Sequence, residues 1–301
     1  MKLRTSLLTI VLSCAGAAQA QQQQSTLEKV KASGNITVAY REASIPFSYL
    51  GEGGKPTGFG WEICGRIVDE VKKAVGRSDL TVHTQAVTSQ NRIPLVQNGT
   101  VDIECGSTTN NVERAKQVTF ATNYFYTGTR FLVKAGSPIK SLADLKGKRV
   151  VSTTGTTNMQ IMRRLGRDKG LDFELIGAKD HDESALLVQS GRADAFAMDD
   201  ILLYGIKANA QNPAELAVVG EAIQVEPYAI MLRKDDPLFK RLVDGTLAEL
   251  IRTGEFEKLY KKWFQSPIPP RGINLNAPMS AELTANMKAL SDRPAEPMAA
   301  N

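Results

Sequence analysis

Twice in this chain an apolar strand ends in a hydroxyl-rich turn that opens a helix: "VDIECGSTTNNVER" over residues 101–114 and "KRVVSTTGTTNMQ" over residues 148–160. A strand that runs directly into a helix belongs to an α/β unit with a largely parallel sheet. Ligands of such sheets sit outside the carboxyl ends of the strands. Two turns of this kind lie in separate halves of the chain, and their convergence on one cleft is a hypothesis the structure can test.

The flanking patterns agree. "STLEKVKASG" predicts a short capped helix closed by Gly34, "ITVAYRE" a strand with Arg41 near its end, and "PFSYLGEGGKPTGFGWE" a hairpin around a Gly/Pro turn. From Trp61 to Val75 the apolar period becomes helical, with Ile63, Ile67, Val68 and Val71 on one face. "LTVHTQAV", "NRIPLVQNG", "VDIEC" and "NNVERAKQV" continue as strand, helix, strand and helix. Thus Arg41, Thr88 to Arg92 and Cys105 to Thr109 all follow strand ends. In the second half "DFELIGAKDHDESALLVQSGRADAFAMDD" supplies strand, loop, helix and strand, with "ELAVVGEA" and "EPYAIMLRKDD" as further strands. Pro237 to Phe264 carries one long amphipathic helical pattern, and the Pro-rich, then polar tail from Ser266 is expected on the surface.

The first twenty residues read differently. "MKLRTSLLTIVLSCAGAAQA" has a basic start, a short apolar run and an A-x-A end, the pattern of a secretory signal peptide cleaved after Ala20. Cys14 offers a lipid-attachment reading, but Leu12 suits it poorly. The remaining 281 residues, out of 301, are long enough for two domains. Export permits a disulfide between Cys64 and Cys105, although two cysteines on separate elements are equally readable as buried thiols. Loss of Lys2 and Arg4 with the leader lowers the formal net charge from +5 to +3. The cations are scattered without a basic run or interleaved aromatics, so no nucleic-acid surface is expected.

In "GSTTNNVER" Asn110 is expected to cap the helix and Glu113 to complete a capping box. That leaves Ser107, Thr108 and Thr109 unexplained. It also leaves Arg114, a cation in the first helical turn that opposes the helix dipole unless an anion lies between them. Thr153 to Asn158 offer hydroxyls and N–H groups at a second helix start, with a simple cap as the bland alternative. Arg92 beside Ser89, together with Arg41, adds an electropositive pocket suited to more than one carboxylate, although isolated arginines are usually solvated or salt-bridged. His181 lies in a polar loop as a candidate donor to a carboxylate, and Asp199 or Asp200 is placed to meet an ammonium or to cap a helix. With two histidines and no metal, nucleotide or hydrolase signature, neither catalysis, a cofactor nor a metal is expected.

Taken together, "AYREASIPFSYL", "TSQNRIPLVQNGTVDIECGSTTNNVER", "TTGTT", "AKDHDES", "SGRADAFAMDD", "LRKDDP" and "WFQSPIPP" resemble the periplasmic glutamate/aspartate-binding proteins of ABC uptake systems, from about Thr26 to the tail. The resemblance implies a two-lobed periplasmic binding protein type II fold, with two α/β domains joined by a two-strand hinge: lobe 1 over 25–128 and 227–270, lobe 2 over 129–226, and a tail over 271–301. It implies a monomeric periplasmic protein that captures L-glutamate or L-aspartate for a membrane ABC permease. It also assigns roles: Arg114 with the turn at Thr156 and Thr157 to the ligand's α-carboxylate; Ser107, Thr109 and Asp199 to its ammonium; Arg41, Ser89, Arg92 and His181 to its distal carboxylate. Two alternatives remain at this stage. One is a dicarboxylate-acting lyase or dehydratase on the same scaffold, using His181 or Glu42 as acid or base. The other is an amino-acid sensor module.

Overall fold

The computed structural model describes residues 24–168 and 170–296; the leader expected at 1–20, with Cys14, and the last residues of the tail lie outside the described residues. Ser25 and Glu28 form the capping box that starts helix α1 (Thr26–Ser33), and Gly34 closes it. Strand β1 (Asn35–Tyr40) follows, then a small antiparallel sheet of β2 (Ala43–Ser44), β3 (Ser48–Leu50) and β4 (Pro56–Thr57). Helix α2 (Phe59–Val75) buries Ile63, Ile67, Val68 and Val71, the stripe set by the 3.6-residue period. β5 (Thr81–Ala86), α3 (Arg92–Gln97), β6 (Ile103–Glu104) and the single-turn α4 (Val112–Ala115) complete the first run.

β7 (Val118–Lys134) is seventeen residues long and joins the halves. Its first part pairs antiparallel with β12 (Val225–Arg233) as far as Gly128, opposite Val225. From Thr129 to Leu132 one edge of it pairs with β10 (Ala195–Asp199), and from Phe131 to Lys134 the other edge pairs with β11 (Leu216–Val219). Between these come β8 (Arg149–Thr153), α5 (Thr157–Asp168), β9 (Glu174–Ala178), α6 (His181–Gln189) and α7 (Asp200–Asn209). The sheet runs β5-β1-β6-β12-β7-β10-β8-β9, with β11 on β7. β5, β1 and β6 are mutually parallel, as are β10, β8 and β9. The result is a two-lobed α/β molecule in which β7 and β12 cross between lobes.

Helices α8 (Pro237–Arg252) and α9 (Glu255–Phe264) return the chain to the first lobe. The sequence pattern runs unbroken through both, but Gly254 adopts φ 73° and divides it into two helices. The apolar stripe continues because both pieces face one core. That core is aromatic beneath the hinge: Phe47 lies 4.9 Å from Phe125 and 5.1 Å from Tyr228, and Phe264 lies 5.0 Å from Phe125. Edge and stacked pairs of this kind contribute about 0.5–1.5 kcal/mol each beyond burial, so they stiffen the lobe 1 end of both hinge strands. A separate cluster around Phe131, Val150, Met162, Leu165 and Ala197 forms the core of lobe 2.

One alternative left open by the sequence is settled, and one further expectation changes. Cys64 and Cys105 are bonded, with Cα atoms 5.8 Å apart, tying α2 to the turn after β6. The tail does not simply lie on the surface: α10 (Ala281–Ala289) and the segment after it are pinned to β7. Asn286 Nδ2 donates to the Asn123 carbonyl at 2.7 Å, and Asn123 donates from its N–H to Ser291 O and from Nδ2 to Arg293 O. Lys240 pairs with Asp292 at 2.8 Å.

Candidate functional site

The cleft forms where the strand ends of the two lobes meet. On the lobe 1 side, Arg41 follows β1, and its N–H donates to Ser48 Oγ on the small sheet. Its guanidinium is buried and donates from Nη2 to Ser89 Oγ at 2.9 Å. Ser89 sits in the turn after β5, which Thr88 and Asn91 close by exchanging side-chain and backbone hydrogen bonds. That turn opens α3 at Arg92, whose Nη1 donates to Thr108 Oγ1 at 2.6 Å and to the Ser107 carbonyl at 3.2 Å. The Thr108 hydroxyl in turn donates a hydrogen bond to Glu104 Oε2 at 2.5 Å. Gly106 leaves room for this pair: a Cβ would lie 2.3 Å from Glu104 Oε1 and 3.0 Å from Arg41 Cγ, so any side chain would displace the Glu104 carboxylate.

The turn after β6 differs from the local reading in one respect. Asn111, not Asn110, caps α4, its side chain accepting from the Arg114 N–H at 2.9 Å. Asn110 is buried, its Nδ2 donating to Asn123 Oδ1 and the Asp292 carbonyl and its N–H to the Pro227 carbonyl. Glu113 completes no capping box; it is exposed and pairs with Lys116 at 2.7 Å. The cap moves by one residue because β12 and the tail claim Asn110 from a distance. Arg114 is nonetheless buried, as the anion argument required, and spans the cleft: Nη1 donates to the Thr109 carbonyl at 3.0 Å and Nη2 to the Gly155 carbonyl of lobe 2 at 3.1 Å.

On the lobe 2 side the Thr156 hydroxyl takes the bland role, donating to the Thr153 carbonyl and accepting from the Met159 N–H to cap α5. Gly155 has φ 85°, and a Cβ there would lie 2.6 Å from Gln90 Cα across the cleft, so only glycine permits this approach of the lobes. His181 lies not in a loop but at the first turn of α6, which Asp180 caps, and it is buried. Ser184 Oγ donates to the Asp180 carbonyl, so Thr153 Oγ1, 2.9 Å from it, donates to Ser184 and accepts from His181 Nδ1 at 2.9 Å. The network therefore assigns the tautomer: Nδ1 carries the proton, and Nε2 presents its lone pair to Arg41 Nη2 at 3.5 Å. Burial, with Arg41 and Arg92 nearby, holds the imidazole pKa well below its ordinary value, in keeping with a neutral ring.

Asp199 ends β10 and precedes α7, but its side chain caps nothing. It accepts from Asn158 Nδ2 at 2.8 Å and from the Tyr228 hydroxyl. Burial, then the nearby Glu226 carboxylate, push it up to about 7 against the opposing effect of those two hydrogen bonds. Burial and mutual repulsion lower Arg41 to about 9 and Arg114 to about 10, and burial lowers Arg92. Arg41 and Arg114 therefore remain charged at neutral pH.

Eight of the ten sequence-selected residues, Ser89, Arg92, Ser107, Thr109, Thr156, Thr157, His181 and Asp199, line one narrow cleft, and Arg41 and Arg114 flank it through Ser89 and Thr109. Arg41 Nη1, Arg92 Nε and Ser107 Oγ are buried there without a protein partner. Buried polar groups are ordinarily paired, and three buried guanidiniums demand anions. Residues outside those ten also build the site: Thr108, Thr153 and Asn158, marked in the sequence only as turn residues, and Glu104, Tyr228 and Glu226, which were not marked. A charged residue inside or beside an apolar strand, as in "VDIEC" and "EPYAIML", was the available signal for the two glutamates.

The description of bacterial extracellular solute-binding proteins, family 3, matches residues 36–266. The chain is 48% identical to an L-glutamate/L-aspartate-binding protein of Pseudomonas aeruginosa, over 99% of this chain and all of that one. It is 46% identical to a glutamate/aspartate import solute-binding protein of Escherichia coli, over 96% of this chain and 97% of that one. Among solved structures it is similar to an ancestral arginine-binding protein bound to arginine, with a TM-score of 0.69 and 30% identity over 77% of this chain and 98% of that one.

Proposed function

The chain belongs to the bacterial extracellular solute-binding proteins of family 3, and from that premise we propose that it captures L-glutamate and L-aspartate in the periplasm and presents them to an ABC permease. The observation that carries the ligand class is the division of the cleft by charge. Arg41 and Arg92, with unpartnered donors, outnumber the one carboxylate at their end, Glu104, whereas Asp199 and Glu226 gather at the other, beside Arg114. An acidic amino acid, with two carboxylates and an ammonium, matches that division.

In this reading Arg114 and the first N–H groups of α5, around Thr156 and Thr157, take the α-carboxylate. Asp199 takes the ammonium with Ser107 and Thr109. Arg41, Ser89 and Arg92 take the distal carboxylate, and His181 holds Arg41 in place by accepting from Nη2. Charge-assisted hydrogen bonds contribute about 1.5–3 kcal/mol each, enough in number here to offset desolvation and leave the roughly −8 kcal/mol of a micromolar complex. Arg114, which binds the carbonyls of Thr109 and Gly155 in opposite lobes, links occupancy to closure, and the permease would read the closed form. The protein acts as a monomeric carrier without chemistry: Glu42, one of the two acid–base candidates, is exposed.

Calorimetric titration of ligand-stripped protein with L-glutamate, L-aspartate, L-glutamine and L-asparagine tests this. Tight binding of the two acids and weak binding of the amides is expected. Equal affinity for glutamate and glutamine would refute the distal-carboxylate pocket.

A further inference from the structure

Glu226 is fully buried at the start of β12 and was given no part in holding the ligand, yet it joins three elements. Its Oε2 accepts from Thr109 Oγ1 of lobe 1 at 2.7 Å and from Thr157 Oγ1 of lobe 2 at 2.5 Å. Its Oε1 accepts from Gln224 Nε2 at 2.9 Å. A hydroxyl has one proton and two lone pairs. With both protons committed to Glu226, neither threonine hydroxyl can donate to a ligand carboxylate, and both can only accept. The two oxygens are 3.3 Å apart on facing lobes, at the wall that also carries Asp199.

The backbone explains why this residue has that reach. The turn after β6 is locked to β12 by Asn110 N–H donating to Pro227 O and Ala229 N–H donating to Thr108 O. Residues two apart on a strand share a face, so Glu226 and Tyr228 both point into the cleft wall. Tyr228 donates to Asp199, and Glu226 takes the threonine protons. One hinge strand thus sets both kinds of ammonium acceptor.

Resting on the reading of the site given above, we propose that Glu226 is a positioning residue that makes the cleft selective for ligands bearing an ammonium group, by turning the lone pairs of Thr109 and Thr157 toward it. Its carboxylate does not line the cavity and acts through those two hydroxyls. Closure strengthens the arrangement, since Oε2 reaches hydroxyls of both lobes together only when the lobes meet.

The test is a pair of titrations, with L-glutamate and with glutarate, the same dicarboxylate without the ammonium. Glu226→Gln removes the charge and replaces an acceptor oxygen by a donor. It is expected to bind L-glutamate about tenfold more weakly while glutarate affinity holds, narrowing the preference for the amino acid. Glu226→Asp keeps the charge but draws the carboxylate back by one methylene; it should show the same selective loss, and it decides the matter if the amide variant does not fold. In a Thr109→Val/Thr157→Val background the Glu226 substitution should narrow the preference no further. Equal loss for both ligands, or an unchanged ratio, overturns the positioning role and identifies Glu226 as a structural hinge residue only. A wild-type protein that binds neither L-glutamate nor L-aspartate overturns the reading of the site itself.

Discussion

Asp199 makes affinity depend on pH in a window set by its own environment. Its carboxyl is raised to about 7 by burial and by Glu226, with Asp200 adding to the rise and Tyr228 and Asn158 hydrogen bonds opposing it. An ammonium ligand requires the ionised form, so at pH below 7 binding must first expel a proton. The apparent dissociation constant scales as one plus the ratio of protonated to ionised Asp199. Between pH 8 and pH 6 that factor rises from about 1.1 to about 11, a loss of about tenfold or ~1.4 kcal/mol. His181 stays neutral throughout because its pKa is depressed, and Arg41 and Arg114 stay charged. Stability of the free protein moves the opposite way. A carboxyl raised above its unfolded value contributes stability that is fully present below about pH 4 and lost as pH rises through about 7. Calorimetry at pH 6, 7 and 8 in buffers of different ionisation enthalpy measures both affinity and proton release, and nearly one proton per ligand is expected at pH 6. Asp199→Asn should weaken binding and flatten the profile. An affinity constant across the window, with no proton released, would refute the reasoning.

Arg114→Ala removes a buried charge and the bridge from Thr109 O to Gly155 O, and calorimetry should find L-glutamate affinity reduced at least about a hundredfold. Glu113→Ala removes only an exposed pair with Lys116 and should shift chemical-denaturation stability by less than about 0.5 kcal/mol, whereas Asn111→Ala removes the cap and should cost about 1 kcal/mol. Opening the Cys64–Cys105 bridge, which spans 41 residues, frees the unfolded chain by about 4 kcal/mol on the loop-entropy relation; a melting temperature unchanged by Cys64→Ser with Cys105→Ser would contradict it.

The residues that converge on the cleft were visible as residue types out of place locally: an arginine in a first helical turn, hydroxyls beyond a strand end, an aspartate closing an apolar strand. Each could be marked from neighbours within a few positions, and the structure brings all ten to one cleft. Their partners could not be read that way. The Asn110 cap failed because Pro227, Asn123 and Asp292 bind that residue from elsewhere in the chain. The Asp180 cap that puts His181 on a helix is local, through the Glu183 N–H, and was passed over, whereas the burial of His181 against Thr153 is settled by β8, 28 residues earlier. The break at Gly254 was hidden because one core receives both α8 and α9, so the apolar stripe crosses it without interruption.

Periodicity, caps and strand-end turns act over a few residues, so the chain's own order determined the α/β alternation, the two turns and the charged groups that end in them. Which oxygen takes which proton is another matter. Glu226 meets Thr109 across 117 positions, and Arg114 meets Gly155 across 41. The charge of a buried site is the sum over groups that only folding brings within hydrogen-bond range. The raised carboxyl of Asp199, the tautomer of His181 and the committed hydroxyls of the two threonines were therefore decided by the tertiary structure alone.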